Sequence, residues 1–283
     1  MNIIMVCKKK NFRKGSLRMA ASVCIAGMGL LAACQPDAKK EGDSLVTDSI
    51  VVDIDTLIHA CSVTSSYSID YPTGGPQPLL DSVRTWISRN CGDTYTGDLS
   101  DGEQVVNHYA QSICTMAGED FAEDEGNEFE ISYSDEAHIT RGYETDKTVT
   151  FNFTNYVYTG GAHGNGAYVN NTFRKDNGAS LTWDIFREDA KAELQELLLS
   201  HLKDYFEVET DDELNEQLLD TDVADLPLPY TQPAFTEKGI QFVYQSYEIA
   251  PYSAGKPEGV ISYEEARPYL TEEATALLPT AKP

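Results

Sequence analysis

The most regular pattern of apolar and polar positions lies at Lys147 to Tyr158. There Val149, Phe151, Phe153 and Val157 fall on one face, and Thr148, Thr150, Asn152, Thr154, Tyr156 and Tyr158 on the other. A period of two over this length predicts a β-strand with one buried side. The strand ends in Thr159-Gly160-Gly161-Ala162-His163-Gly164, a glycine-dense turn, and alternation returns through Tyr168 to Phe173, so a hairpin is expected. Upstream, Val51 to Ala60 and Val63 to Tyr71 read as strands, the second stopped by Pro72-Thr73-Gly74-Gly75-Pro76. Leu79, Leu80, Val83, Trp86 and Ile87 then recur at helical spacing. Ser100-Asp101-Gly102-Glu103 has the form of a capping box opening a helix with Val105, Val106, Tyr109 and Ile113. Strands are expected at Glu128 to Tyr133 and His138 to Tyr143. An amphipathic helix follows at Asp184 to Phe206, then strands near Tyr230 to Phe235 and Ile240 to Tyr247, and Ser262-Tyr263-Glu264-Glu265 caps a last short helix.

These elements predict an α+β fold: two small units, each of antiparallel sheet plus helix, packed together after a leader. The divisions expected are a leader at 1–33, a tether at 34–50, a first unit at 51–145, a second at 146–272 and a tail at 273–283. No internal repeat is found, and nothing marks a flexible linker between the two units.

The leader changes the picture of where the chain works. Its six basic residues (Lys8, Lys9, Lys10, Arg13, Lys14, Arg18) precede an apolar stretch from Met19 to Ala33, followed by Leu31-Ala32-Ala33-Cys34. That is a lipobox behind a short h-region, which predicts a cleaved lipoprotein signal with Cys34 lipidated. The expected address is the cell envelope, with the lipid as the only membrane attachment. Gln35 in the next position favours the outer membrane if the cell is Gram-negative. Cys61, Cys91 and Cys114 then remain in an oxidising compartment, and Cys91 with Cys114 is the expected disulfide.

Charge narrows the partners. The whole chain carries 21 basic and 46 acidic side chains, a net −25. Without the leader the body stands at −31, which repels nucleic acid and attracts a cationic partner.

Sequence motifs for serine hydrolases, zinc proteases, P-loops and dinucleotide binding are absent. No catalytic residue, metal or cofactor is expected. The five histidines are scattered, and only His163, among glycines that let a ligand approach the backbone, is a candidate; the alternative is a hairpin turn with a local hydrogen bond. Asp204 to Asp225 holds ten carboxylates in 22 residues. Calcium at Asp220, Asp222 and Asp225 competes there with a solvated acidic face. Tyr244 to Gly255 sets tyrosines among Pro, Ser and Gly, which suits recognition of protein or sugar; tyrosines closing the edge of a core are the other reading.

The runs "YTGGAHGN" (Tyr158 to Asn165), "NGASLTWDIF" (Asn177 to Phe186), "FTEKGIQFVYQSYEIAPYSAG" (Phe235 to Gly255) and "VISYEE" (Val260 to Glu265) resemble the extracellular domain of RsiV-type lysozyme-sensing anti-sigma factors. This domain also occurs beside polysaccharide deacetylases and in lipoproteins. Upstream, "YSIDYPTGG" (Tyr67 to Gly75) is similar to the domain that usually precedes it. The resemblance implies an α+β fold, a domain without catalysis of its own, and binding of lysozyme-type muramidases. The matching positions are Tyr158, Gly160, Gly161, His163 and Gly164 in the turn, and Tyr247, Pro251, Tyr252 and Gly255 in the loop. The expected partner is a cationic muramidase or a peptidoglycan fragment. A wall-polysaccharide hydrolase or deacetylase, and a structural envelope lipoprotein, are the rival expectations.

Overall fold

The computed structural model describes residues 44–122 and 131–279. The leader, Cys34 and most of the tether therefore lie outside the described residues, as do the start of the strand expected at Glu128 and the end of the tail.

Two long strands open the chain, β1 (Val46–Ile58) and β2 (Cys61–Gly74), joined by a tight turn in which His59 takes a positive φ of 53°. Three helices follow. α1 (Gln77–Asn90) buries the expected stripe of Leu79, Leu80, Val83 and Ile87. The next expected helix is two, α2 (Gly102–Ala110) and α3 (Ser112–Asp120), broken at Gln111. β3 (Ile131–Glu144), β4 (Thr148–Tyr158) and β5 (Asn165–Arg174) then complete a five-stranded sheet in the order β1-β2-β3-β4-β5.

The fold is α+β, as the periodicities predict, but two expectations change. β2 and β3 pair in parallel, from Cys61 opposite Ile131 to Ile139 opposite Ile69, because α1–α3 carry the chain back to the starting end of the sheet. The division drawn at 145 and 146 falls in the short turn between β3 and β4, which are hydrogen-bonded neighbours. Phe151, Phe153 and Phe173 from beyond that point share one core with Ile69, Tyr71 and the α1 and α2 stripes. At about 1.5–3 kcal/mol for each such side chain buried, cutting there would sacrifice much of that core.

The remainder builds a second core. The helix expected from Asp184 begins only at α4 (Lys191–Phe206); two 3₁₀ turns occupy the residues before it. After α5 (Asp211–Asn215), a three-stranded antiparallel sheet forms from β6 (Ala234–Phe235), β7 (Ile240–Val243) and β8 (Glu258–Ile261). α6 (Tyr263–Ala266), with the expected capping box at Ser262, and α7 (Glu272–Leu277) close the chain. Leu194, Leu198 and Leu202 of α4 pack there with Phe235, Phe242 and Ile261.

The two sheets meet through hydroxyl groups. α1–α3 cover one face of the large sheet. On its other face, the Thr150 hydroxyl donates to the Phe235 carbonyl (2.8 Å), and the Phe235 N–H donates to the Thr172 hydroxyl (2.8 Å). Thr148, Thr150 and Thr172 are consequently buried on the face that periodicity alone marks as solvent-facing.

All three cysteines described are free, in place of the expected Cys91–Cys114 bridge. Cys91 caps α1 against the first core, whereas Cys114 of α3 belongs with Cys61 to a separate small cluster. Burial pushes the Cys91 thiol up to about 12.

Candidate functional site

The glycine turn and the tyrosine loop, the two segments singled out by sequence, meet. In the turn, Gly160 and Gly161 each take a φ of 94°, a conformation that favours glycine. Gly164 is required for a different reason: a Cβ there would lie 2.5 Å from the Val157 carbonyl oxygen and 2.6 Å from the Tyr156 ring. Tyr158 folds back to donate its hydroxyl hydrogen to the Gly161 carbonyl (3.1 Å). The turn so shaped presents His163 outward.

The loop is fastened at three points. The Gln245 side chain accepts from the Tyr168 N–H (2.9 Å) and donates to the Tyr168 carbonyl (2.7 Å), pairing with β5 as a further strand would. Glu248 accepts from the N–H groups of Gln245 and Tyr230, both at 2.7 Å; burial raises its carboxyl pKa, while these two donors pull it down. Tyr205 of α4 donates to the Ala254 carbonyl (2.8 Å). Between these fastenings Tyr247 takes a φ of 67°, and the 3₁₀ turn Tyr252–Ala254 is framed by Pro251 and by Gly255 at a φ of 75°.

His163 stacks on Tyr252, with ring centroids 4.2 Å apart and planes 17° from parallel. Tyr247 lies 5.9 Å from Tyr252, its hydroxyl 3.4 Å from His163 Nε2. His163 Nδ1 is 2.9 Å from the Gly164 carbonyl, so Nδ1 is placed to donate to that oxygen. Tyr247 is 51% exposed, and Tyr230, tied to the same loop through Glu248, is 79% exposed. Tyr244, three residues before Tyr247, is fully buried with its hydroxyl on the Pro227 carbonyl. The core-edge reading therefore holds for Tyr244, whereas Tyr247 faces solvent. An open depression of about 400 Å³ lies along the same loop, lined by Tyr205, Glu207, Gln217, Pro251 and Ser253 among others.

The structure thus brings together His163, Tyr247 and Tyr252. Tyr158, Gly160, Gly161 and Gly164 shape the turn, and Pro251 and Gly255 shape the loop. Sequence reasoning missed Tyr230, Gln245 and Glu248; the run Pro227-Leu228-Pro229-Tyr230, in which proline holds an extended segment with a tyrosine at its end, was the available signal for the first. Asp222 caps a 3₁₀ turn by accepting from the N–H groups of Ala224 and Asp225, and among the described residues no group of three His, Cys, Asp or Glu is placed to hold a metal ion.

Residues 183–264 match the family model described as a protein of unknown function (DUF3298), and residues 62–166 match that described as deacetylase PdaC. No curated protein matches the chain. Among solved structures, a member of the DUF3298 family from Bacteroides fragilis superposes with a TM-score of 0.69 at 24% identity, over 84% of this chain and 100% of that one. A DUF3298 family protein from Pseudomonas aeruginosa PAO1 gives 0.56 at 16% identity, over 84% of this chain and 99% of that one. At these identities the likeness establishes the shared fold.

Proposed function

We propose that this chain is a lipid-anchored binding module of the cell envelope that engages a cationic lysozyme-type muramidase through His163, Tyr247 and Tyr252. The observation that carries the reading is the convergence of two segments 84 residues apart on one exposed aromatic cluster. Rigid tyrosines offer large contact area at little entropic cost, and the loop that holds them is pinned on three sides. The partner class comes from the resemblance of the glycine turn and the loop to the RsiV-type extracellular domain. A net charge of −31 on the body supports a cationic partner.

Surface plasmon resonance of the soluble part from Gln35 onward, against a panel of lysozymes and a muropeptide mixture, tests the proposal. Tyr252→Ala should shorten the complex lifetime roughly thirtyfold, the effect of losing an anchor of about 2 kcal/mol. Absence of binding to every lysozyme would overturn the reading. A second reading, a wall-polysaccharide deacetylase, is favoured by the match at residues 62–166; acetate release from wall material by the wild-type chain would promote it.

A further inference from the structure

The face of the large sheet turned away from α1–α3 is only partly covered. Its end at Thr148, Thr150 and Thr172 is buried, with Thr150 and Thr172 bonded to the Phe235 backbone. Farther along, the cross-strand rows stay open to solvent. One row runs from Asp53 on β1 through Ser66 and Glu136 to Tyr156 on β4. The row beside it runs from Asp55 through Thr64 and Ser134 to Tyr158. Asp53, Asp55, Glu136 and Tyr156 are all exposed.

An antiparallel or mixed sheet commonly leaves a polar face in water, and hydroxyls alone would call for nothing more. The charge on this face is one-sided, however. Neither row contains Lys or Arg, and among the described residues no salt bridge reaches Asp53, Asp55 or Glu136. Asp53 and Glu136 sit two strands apart, about 10 Å, with Ser66 between them donating to Asp53 (2.9 Å). The carboxylates stand as separated acceptors on a flat floor. At its other side the floor runs into the candidate site: Tyr158 reaches the glycine turn, and the next strand, β5, is clamped at Tyr168 by the loop that carries Tyr247 and Tyr252.

We infer that this open sheet face is the docking surface for the basic flank of a protein whose first contact is the tyrosine cluster, with Asp53, Asp55 and Glu136 receiving its Lys and Arg side chains. Charge complementarity and continuity with the cluster select that occupant over a neutral glycan. The inference rests on the binding-module reading and adds the second half of the contact surface.

The test uses the chain from Gln35 onward, with a cationic c-type lysozyme as probe and a muropeptide for comparison. Asp53→Asn with Glu136→Gln removes two charges from the face; Asp211→Asn with Asp212→Asn removes two from the acidic run elsewhere and controls for net charge. Circular dichroism and urea midpoints establish that both variants fold. The face pair should weaken lysozyme binding about tenfold at 0.15 M salt, while the control pair changes it less than about threefold. Equal effects from the two pairs would overturn the inference, since net charge alone would then explain binding. So would loss of muropeptide binding with lysozyme binding intact. If the wild-type chain binds no lysozyme, the binding-module reading fails and this inference with it; if only the variants behave otherwise than stated, the face alone is wrong.

Discussion

Asp135 shows how a single residue can tie the interior of the large sheet to pH. Its carboxylate is 6% exposed and accepts from the Tyr67 hydroxyl (2.7 Å) and the Asn155 amide (3.0 Å). Burial nevertheless wins and raises its pKa, against the pull of those two donors. The folded state therefore holds the proton more tightly than the unfolded chain, and lowering the pH from neutral adds stability until the unfolded chain also protonates at about pH 4. Asp135→Asn removes this contribution. Relative to wild type, the variant should be most favourable at about pH 7 and lose ground toward about pH 5 in urea unfolding; a constant difference would show that Asp135 titrates alike in both states. The thiols give a second check: denatured, unreduced protein should show Cys61, Cys91 and Cys114 all alkylated by mass spectrometry. What was legible at this scale was the chemistry of the residue types, and what was hidden was burial. Tyr244 and Tyr247 share a type and a loop, yet one seals a core and the other faces water, a difference set by a backbone turn with no sequence period.

At the scale of elements, periodicity served well where one face meets one environment. β4 and the α1 stripe emerge as the alternation and the helical spacing predict. It failed where tertiary contacts decide, as in the parallel pairing of β2 with β3 and the burial of Thr150 under Phe235. Local capping shows the same limit at close range. The expected cap at Ser100 moves one residue, to Asp101, whose carboxylate accepts from the Gln104 N–H (3.1 Å). Asp101→Ala should therefore cost about 1 kcal/mol in urea unfolding, and Ser100→Ala much less. The tyrosine loop was legible as a Pro-, Ser- and Gly-bearing segment after a strand; its fastening by Gln245 and Glu248 was not, because those partners lie 77 and 18 residues away.

For the whole molecule, the anchor expected at Cys34 and the acidic charge make separate predictions. If Cys34 carries the lipid, Cys34→Ala should move the protein from the membrane fraction to the soluble one; unchanged fractionation would contradict the anchor. Once anchored, a strongly acidic body should capture a basic partner quickly at low salt and more slowly as salt rises, whereas the lifetime set by Tyr252 should respond little. Association rates measured across a salt series would separate the two effects.

The Gln245 clamp on Tyr168 has a bearing on crowding. A sheet ends in two rows of unspent backbone groups, and each can recruit a neighbouring molecule into a growing fibre. Along β5 the clamp satisfies the main chain at Tyr168 with a side chain of the same molecule. β1 is the opposite flank, where Asp48, Asp53 and Asp55 are exposed. Two copies brought flank to flank on a lipid surface would set carboxylate against carboxylate. If the chain is held on the envelope as proposed, dense packing is thus compatible with a population of separate molecules, each with its tyrosines free.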